Sequence, residues 1–297
     1  MAILADANST ILIQGITGRE ATTFARESLA YGARVVAGTS PGKGSSEVHG
    51  IPVYNCVRDA LCEHKIDVSV ISVPPAFTKD AALESIYNGI KLITILTERV
   101  PQRDTAEIIC NADQMGARVI GPNSMGLICP GKTKIGLVGG PASDVRKAYQ
   151  PGPIGIASRS GGMTTELANL LTNHGLGQSA CVSVGGDTIV GMTFVDLLAL
   201  FDADPETKAL VIFCEPGGSQ EEALAEYVKK NQVKLPIVAF IAGRFVDNRP
   251  GQRFGHAGTI VERGMGTTRE KSRLLREAGI TVADKLSDVP NFLERCL

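Results

Sequence analysis

Short runs of apolar, often β-branched residues alternate along the chain with stretches in which apolar residues recur at helical spacing. In the first part of the chain, up to residue 120, this pattern predicts strands separated by helices. The strands are predicted at Thr10–Gln14, Arg34–Gly38, Val68–Val73, Leu92–Leu96 and Arg118–Ile120, and the helices at Arg19–Tyr31, Val57–His64, Phe77–Asn88 and Arg103–Met115. Strict alternation of strands and helices is typical of a parallel, doubly wound sheet.

The same rhythm returns after residue 153. Strands are predicted at Ile154–Ala157, Ala180–Val184, Ala209–Cys214, Ile237–Ile241 and Ile280–Ala283, and helices at Gly162–His174, Thr193–Asp202, Gln220–Asn231, Thr267–Ala278 and Val289–Cys296. Glycine and proline cluster between the two halves and indicate a boundary. We therefore predict an α/β protein with a Rossmann-like domain at residues 1–125, a linker at 126–152 and a flavodoxin-like domain at 153–297, both with mainly parallel sheets.

The amino-acid composition mainly argues against certain classes of binding partner. A net charge of −1 gives no electrostatic argument for a nucleic acid or an anionic membrane as partner. The chain has no Trp and only 5% aromatic residues, which argues against binding by stacking on bases. It contains no apolar run of membrane-spanning length and no pattern typical of a signal peptide, so we expect a cytoplasmic protein, with the mitochondrial matrix as the alternative.

The seven cysteines are scattered and lack the paired spacing of metal sites and disulfide frameworks. Most lie in apolar segments, so we interpret them as reduced packing residues and predict no metal site in this chain.

The loop after the first predicted strand, Gly15–Ala21, places glycines directly before a helix. Such a loop suits a phosphate at a helix N-terminus, although a tight strand–helix turn explains it as well. An NAD site requires an acidic residue after the second strand. This chain has Lys43 there, between Gly42 and Gly44, which suits the additional phosphate of NADP or coenzyme A unless it is simply a solvated loop lysine.

Three segments in the second half suggest phosphate chemistry. Ser160–Gly162 opens a predicted helix and offers free N–H groups to an anion, and Glu215 follows a predicted strand. His256 stands among small residues, where a bulky group has access to its imidazole. A carboxylate at Glu215 would hold the tautomer of this imidazole and leave the other nitrogen to attack phosphorus. The alternatives are a solvated loop histidine and an acid that merely favours a helix N-terminus.

Taken together, these segments resemble the α subunit of succinate–CoA ligase, from about Thr10 to about Ala283. The matching segments are Gly15–Gly18, Pro41–Gly44, Thr97–Glu98, Gly121–Asn123, Ser158–Gly161, Gly185–Asp187, Glu215 with Gly217–Gly218, and Gly255–Gly258. The resemblance implies that the first domain binds coenzyme A. It also implies that His256 receives phosphate from ATP or GTP, held with Mg²⁺ on a separate ATP-grasp β subunit, and passes it to a small carboxylic acid. Coenzyme A then displaces the phosphate.

The residues and the resemblance together predict the roles of individual side chains. Catalysis is predicted for His256 and Glu215. Coenzyme A binding is predicted for Gly15, Thr17, Gly18, Arg19, Glu20, Lys43, Pro74, Thr97, Glu98 and Asn123. Binding of the acid or of phosphate is predicted for Ser160, Gly161, Gly162 and Thr165.

The sequence does not determine which carboxylic acid is the substrate. Thr165 stands where members specific for succinate have a tyrosine, and Ser158–Met163 is similar to ATP-citrate lyase and citryl-CoA synthetase. Succinate is the default acid and citrate the alternative. An NAD(P)-dependent oxidoreductase and a non-catalytic CoA-binding protein are alternatives from other classes. The sequence does not choose between ATP and GTP, between the two reaction directions, or between a heterodimer and a heterotetramer.

Overall fold

The computed structural model describes residues 3–249, 251–252, 255–256, 258–261 and 266–297. These residues form two seven-stranded sheets, each interleaved with helices. Within this described part of the chain, no helix combines the length and the apolar character needed to cross a bilayer.

The first domain has the strand order of a Rossmann fold. Its elements are β1 (Thr10–Gln14), α1 (Arg19–Tyr31), β2 (Arg34–Thr39), β3 (Glu47–Val48), β4 (Ile51–Tyr54), α2 (Val57–Glu63), β5 (Val68–Ile71), α3 (Pro75–Tyr87), β6 (Leu92–Ile95), α4 (Gln102–Met115) and β7 (Arg118–Ile120). Parallel strands run in the order β4-β2-β1-β5-β6-β7, and β3 pairs antiparallel to β4 at the edge. The order reverses direction between β1 and β5.

The second domain has the strand order of flavodoxin. Its elements are β8 (Gly126–Cys129), β9 (Thr133–Gly136), α5 (Ala142–Ala148), β10 (Pro151–Ser158), α6 (Gly161–Asn173), β11 (Gln178–Ser183), α7 (Phe194–Ala203), β12 (Ala209–Cys214), α8 (Gln220–Lys230), β13 (Ile237–Ile241), α9 (Thr268–Glu277), β14 (Thr281–Ala283), α10 (Val289–Glu294) and short 3-10 helices at Arg244–Asn248 and Leu286–Asp288. Parallel strands run in the order β11-β10-β12-β13-β14, which reverses between β10 and β12.

The prediction of two α/β domains with mainly parallel sheets is confirmed, but residues 126–152 are not a linker. They form β8, β9 and α5, and the two strands extend the second sheet in antiparallel pairing. Leu127, Ile128 and Ile135 are fully buried there. The glycines and prolines of this segment mark the turns between short elements, which is why they resemble an open connection. The limits of the two domains stay a prediction.

The sequence analysis also does not predict β3 and β4. The strand signal of Ile51–Tyr54 is short, and it contains Pro52, which cannot donate to a sheet ladder. At the edge of the first sheet this loss is tolerated, because β4 pairs with β2 through only its last residues, Val53 and Tyr54.

The C-terminal end of α1 is fastened to the second domain. Glu27 Oε2 accepts a hydrogen bond from Ala142 N at 2.9 Å, and Tyr31 Oη accepts one from Gly131 N at 3.0 Å. Arg146 donates to the carbonyl oxygen of Tyr31 at 2.8 Å and lies 4.8 Å from the centre of its ring. One helix therefore belongs to the first domain at one end and is held by the second domain at the other.

Candidate active site

Each sheet reverses its strand order at a point where two loops leave the carboxyl ends of neighbouring strands. In the first sheet these loops follow Gln14 and Ile71, and in the second sheet they follow Ser158 and Cys214. Open parallel sheets bind their ligands at such points, because the two loops diverge and leave a crevice between them.

A groove of about 740 Å³ lies over the first reversal point. Gly15, Thr17 and Gly18 line one side, and Pro74 and Phe77 line the other. No side chain of the described residues caps the N-terminus of α1 at Gly18, so the N–H groups of its first turn are available to an anion. Phe77 is 61% exposed, an unusual position for a large apolar side chain, and offers a surface for an apolar ligand segment.

Lys43 reaches the rim of this groove. Its Nζ donates to Thr17 Oγ1 at 3.2 Å, and the same hydroxyl lies 2.7 Å from Ser40 Oγ. Asn55 Oδ1 accepts hydrogen bonds from the backbone N–H groups of Gly42 and Gly44, each at 3.0 Å, and so fixes the loop that carries the lysine. The sequence analysis missed Asn55, which lies outside every recognisable motif.

Two further cavities connect this groove to His256. The first, of about 670 Å³, shares Gly18 with the groove and is also lined by Arg19, Glu20, Thr97 and Glu98. The second, of about 660 Å³, shares Glu98 and Asn123 with the first and extends to His256. Each cavity thus shares lining residues with the next, from the loop after β1 to the imidazole of His256.

Asn123 joins the loops of both domains beside these cavities. Its backbone N donates to Thr97 O at 2.9 Å, and its carbonyl accepts from Gly186 N at 3.1 Å. Its side-chain Nδ2 donates to Asp187 Oδ1 at 3.1 Å. The residue adopts a φ of 55°, a left-handed conformation that asparagine tolerates better than most residues. Asn123 therefore links the two halves of the site through both its side chain and its backbone.

His256 is hydrogen-bonded to Glu215, as the sequence analysis predicts. Nδ1 of the imidazole lies 2.8 Å from Glu215 Oε2, which also accepts from Thr259 Oγ1 at 3.3 Å. Because a carboxylate only accepts, Nδ1 carries the proton and Nε2 is the nitrogen left for reaction. The histidine side chain is 29% exposed, so a bound molecule can reach it. Ala257, the next residue of the motif, lies outside the described residues.

The imidazole packs on bare backbone at Gly186. A Cβ at this position would lie 2.5 Å from two ring carbons of His256, a distance that real Cβ atoms do not adopt. Glycine is therefore required here so that the ring can approach the loop after β11.

Charges around His256 control its protonation. The hydrogen bond to Glu215 raises the pKa of His256, against the opposing effect of burial. Burial acts to raise the pKa of Glu215, but the hydrogen bond with His256 and the charges of His256 and Arg159 outweigh it and lower this pKa. Burial raises the pKa of Asp187, in spite of its hydrogen bond from Asn123. Glu215 thus stays ionised and holds the imidazole, beside a second carboxyl that binds its proton more tightly.

None of the four predicted acid-binding residues at the start of α6 lines the three cavities described above. Ser160 caps the helix by accepting from Met163 N at 3.4 Å, and a Cβ at Gly162 would meet no atom within 4 Å. Thr165 instead accepts a hydrogen bond from Tyr149 Oη at 2.9 Å, and this tyrosine is buried. The hydroxyl of Thr165 thus faces a packed tyrosine rather than the three cavities, and the structure does not bring it together with Glu215 and His256.

Two charged residues of the site were not singled out as functional by the sequence analysis. Asp187 lines the third cavity together with His256, and Arg159 lies buried behind Glu215. Both stand within segments that carry the family resemblance, and both directly follow or closely follow a strand. Among the described residues, no group of three or more His, Cys, Asp or Glu side chains is arranged to hold a metal ion.

Comparison with known proteins matches the two domains to two different families. A CoA binding domain family matches residues 6–99, and a CoA-ligase family matches residues 157–281. An α subunit of ADP-forming succinate–CoA ligase from Archaeoglobus fulgidus is 43% identical over 297 residues, covering 100% of this chain and 99% of that protein. A subunit of an ADP-forming sulfoacetate-CoA ligase from Acholeplasma is 39% identical over 294 residues, covering 99% of this chain and 98% of that protein.

A solved structure shares the fold. ATP citrate lyase of Methanosaeta concilii, in complex with (3S)-citryl-CoA, superposes with a TM-score of 0.91 at 23% identity. The similarity covers 99% of this chain, which spans about half of that longer chain (50%). With similarity along its whole length to curated subunits above 30% identity, the chain belongs to the family of the α subunits of ADP-forming succinate–CoA ligases.

Proposed function

We propose that this chain is the α subunit of an ADP-forming ligase that joins succinate to coenzyme A through a phosphohistidine at His256. The observation that carries this proposal is the 2.8 Å contact between His256 Nδ1 and Glu215, at the far end of connected cavities that begin in the CoA-binding domain. A carboxylate–imidazole pair also serves proton transfer in oxidoreductases, so the choice of a ligase rests on the CoA-ligase family match at residues 157–281. A non-catalytic CoA-binding protein does not need the pair.

In the proposed reaction, His256 acts as a nucleophile. Neutral Nε2 attacks the terminal phosphorus of the nucleotide, and the nucleoside diphosphate leaves. Glu215 keeps Nδ1 protonated and stabilises the positive charge that develops on the ring. A carboxylate oxygen of the acid then attacks the phosphorus, which returns His256 to its neutral form and gives an acyl phosphate. The thiol of coenzyme A attacks the acyl carbon, loses its proton and releases inorganic phosphate.

The first groove has the chemistry that coenzyme A requires. The free N-terminus of α1 and the ammonium group of Lys43 suit its phosphates, and Phe77 with Pro74 suits an apolar arm. Thr97, Glu98 and Asn123 line the cavities that lead towards His256, where the reactive end of a long ligand would be needed.

The nucleotide requires a partner. We propose that ATP is held as its magnesium complex by a separate ATP-grasp β subunit, in line with the description of the relatives as subunits of ADP-forming enzymes. A cytoplasmic location belongs to the same proposal, because the nucleotide and coenzyme A are available there and the relatives come from an archaeon and a bacterium.

The acid is the point at which relatives differ. Succinate is the acid in the name of the Archaeoglobus relative, and sulfoacetate is the acid in the name of the Acholeplasma relative. Both are small dianions with a terminal carboxylate. Citrate, a larger trianion, is a second candidate on the similarity of Ser158–Met163, and the open space at Gly162 is compatible with it.

The test is a reconstituted complex of this chain with the β subunit of the same organism. ATP labelled at its terminal phosphate should label the complex, and succinate with coenzyme A should discharge the label. His256→Asn should abolish labelling, whereas the matched variant His174→Asn, at the end of α6, should retain it. Undiminished labelling of His256→Asn would contradict the proposal. A panel of succinate, sulfoacetate and citrate, compared by kcat/KM, then identifies the acid.

A further inference from the structure

Arg159 is a buried cation directly behind the Glu215–His256 pair. It follows β10, and only 2% of its surface is exposed. Its Nη1 donates to the carbonyl oxygens of Glu215 at 3.3 Å and Gly217 at 3.1 Å. Both carbonyls lie in the segment that connects β12 to α8, which we call the 215–218 loop. The guanidinium therefore holds the backbone of the residue whose carboxylate holds the imidazole.

The other side of Arg159 faces the segment that carries His256. A Cβ at Gly258 would lie only 2.6 Å from Arg159 Nη2, and a Cβ at Gly217 would lie 2.4 Å from Gly258 O. Glycine at both positions lets the 215–218 loop and Gly258 close on the guanidinium. Since Gly258 is two residues beyond His256, Arg159 touches the supports of both members of the pair.

An ionic network anchors Arg159 from behind. Its Nη1 lies 3.9 Å from Glu221 Oε1 on α8. Lys271 on α9 contacts Glu221 Oε2 at 2.5 Å and Glu222 Oε2 at 2.8 Å, and it donates to Gly218 O at 3.1 Å. Two cations thus face two carboxylates, and Arg159, Glu221 and Lys271 are almost completely buried. A buried charge without its partner is costly, so each member of this network depends on the others.

The network is not arranged for stability alone. Among the described residues, Arg159 Nε and Glu221 Oε1 have no hydrogen-bond partner although both atoms are buried. An apolar pair of similar volume would avoid this cost. Buried polar atoms without hydrogen-bond partners are expected where a side chain serves a functional site.

We propose that Arg159 is the positioning residue of this site, which fixes the 215–218 loop against Gly258 and thereby holds the Glu215 carboxylate in register with His256 Nδ1. The inference rests on the proposed function for the reaction that it serves, but its geometric content concerns this chain alone. Arg159 acts through Glu215 and His256 and has no assigned contact with a substrate.

Arg159 also has an electrostatic effect on the imidazole. Among the described residues, the charged groups around His256 are Glu215 after β12, Asp187 after β11 and Arg159 after β10, and Glu98 and Arg99 of the first domain line the same cavity. Glu215 raises the pKa of His256, as does Asp187 to a smaller extent, whereas the charge of Arg159 lowers it. Loss of the positive charge alone should therefore raise this pKa, whereas loss of the hydrogen bond to Glu215, the larger of the two effects, should lower it.

The first experiment follows His256 by NMR in the isolated chain. The chain has four histidines, and comparison with His256→Asn assigns the resonance. In Arg159→Met the Glu215 carboxylate should move out of register with His256 Nδ1, so the pKa of His256 should fall, and the fraction of neutral ring protonated at Nδ1 should fall with it. Arg159→Lys should keep the pKa close to that of the unmodified chain. The control is Arg273→Met, which removes an exposed arginine paired with Glu270 and Glu277 on α9 and should leave the titration unchanged.

The second experiment measures phosphorylation of His256 in the complex with the β subunit. Misplacement of catalytic groups by about 1 Å costs on the order of 100-fold in rate, which is the loss expected for Arg159→Met. Arg159→Lys should lose about tenfold, since an ammonium group cannot reproduce the fork of the guanidinium.

The double variant Arg159→Met with Glu221→Gln removes one charge of each sign and keeps the network neutral. It should recover thermal stability relative to Arg159→Met, while the slow phosphorylation and the lowered pKa of His256 persist. Recovery of the rate and the pKa in this variant would overturn the proposal, because Arg159 would then serve only as a partner for Glu221. An unchanged or raised pKa of His256 in folded Arg159→Met, with the Nδ1 tautomer retained, would overturn it as well, because Arg159 would then act only through its charge. If only the labelling of His256 fails, the proposed function is wrong and the NMR result still decides the inference.

Discussion

The points at which the strand order of the two sheets reverses are lined by residues of very different chemical character. The first is lined by glycines, hydroxyl groups and an apolar wall, and its cation, Lys43, is exposed on a surface loop. The second contains a hydrogen-bonded Glu215–His256 pair in front of the buried charges of Arg159 and Lys271. The same α/β architecture therefore supports two kinds of site.

The difference follows from what each site has to control. A groove that only holds a ligand obtains its affinity from many small contacts, each replaceable at modest cost. A site that carries out chemistry must fix the protonation and direction of one ring nitrogen, and buried charges do this because the surrounding dielectric is low. Substitutions should therefore have small effects on affinity in the first region and much larger effects on rate in the second.

Glu215→Gln tests the second region most severely. Loss of an oriented acid–base partner lowers rates by about 100- to 10,000-fold, and we expect phosphorylation of His256 to fall within this range. Because Glu215 raises the pKa of His256, the rate in the unmodified complex should fall as the pH drops through this raised pKa. In Glu215→Gln the acidic limb should move to lower pH, since the carboxylate no longer favours the protonated ring. A rate near that of the unmodified complex, with an unchanged pH profile, would show that the pairing is incidental.

Gly186→Ala tests the packing of the imidazole. The added methyl group would lie 2.5 Å from the ring of His256, so the ring must move away from Glu215. We expect a loss of phosphorylation of about 10- to 100-fold, because a displaced nucleophile is poorly aligned. Gly155→Ala is the matched control, since the same methyl group there would lie 2.5 Å from the Phe201 ring in the core of the second domain and reports only a general loss of stability. Equal effects of the two substitutions would remove the role assigned to Gly186.

Lys43→Ala tests the first region, where the effect should be small. Lys43 is exposed, so the contact that we propose for it with the 3′-phosphate of coenzyme A is screened and should contribute about fivefold in affinity or less. A buried contact of the same kind would contribute more. Titration with coenzyme A and dephospho-CoA measures the effect, and the loss should be confined to coenzyme A and decrease with added salt. A larger loss, insensitive to salt, would place Lys43 in an enclosed site.

Thr165→Val should have the smallest effect on catalysis. The substitution keeps the volume but removes the hydroxyl group that accepts from Tyr149 Oη, which leaves a buried phenol without this partner. The expected result is a loss of stability of about 1–3 kcal/mol with no change in the ratio of kcat/KM for succinate and citrate. A shift in this ratio would return Thr165 to the acid site.

The sequence predicts the architecture well because its signals are local. Alternating apolar runs and helical periodicity identify the parallel strands and their helices, and glycines at Gly32, Gly89 and Gly116 mark helix ends. The β8–β9 hairpin is missed because its strands are short and surrounded by glycine and proline, so that only pairing with β11 reveals them.

The site is predicted only where a motif marks it. Glu215 and His256 are 41 positions apart, but each has a distinctive local setting, and their hydrogen bond follows from the chemistry. The contacts of Arg159 with the 215–218 loop cross 56 positions and involve backbone carbonyls, which leave no trace in side-chain identity. The orientation of Thr165 depends on Tyr149, whose position is set by packing between α5 and α6.

The attachment of α1 has a consequence for how the chain unfolds. The N-terminus of this helix lines the proposed coenzyme A groove, and its C-terminal end is held by Ala142, Gly131 and Arg146 of the second domain. Neither domain can lose its structure without releasing one end of the same helix. The two domains should accordingly melt in a single cooperative transition, and a ligand bound only to the first should raise the melting temperature of both.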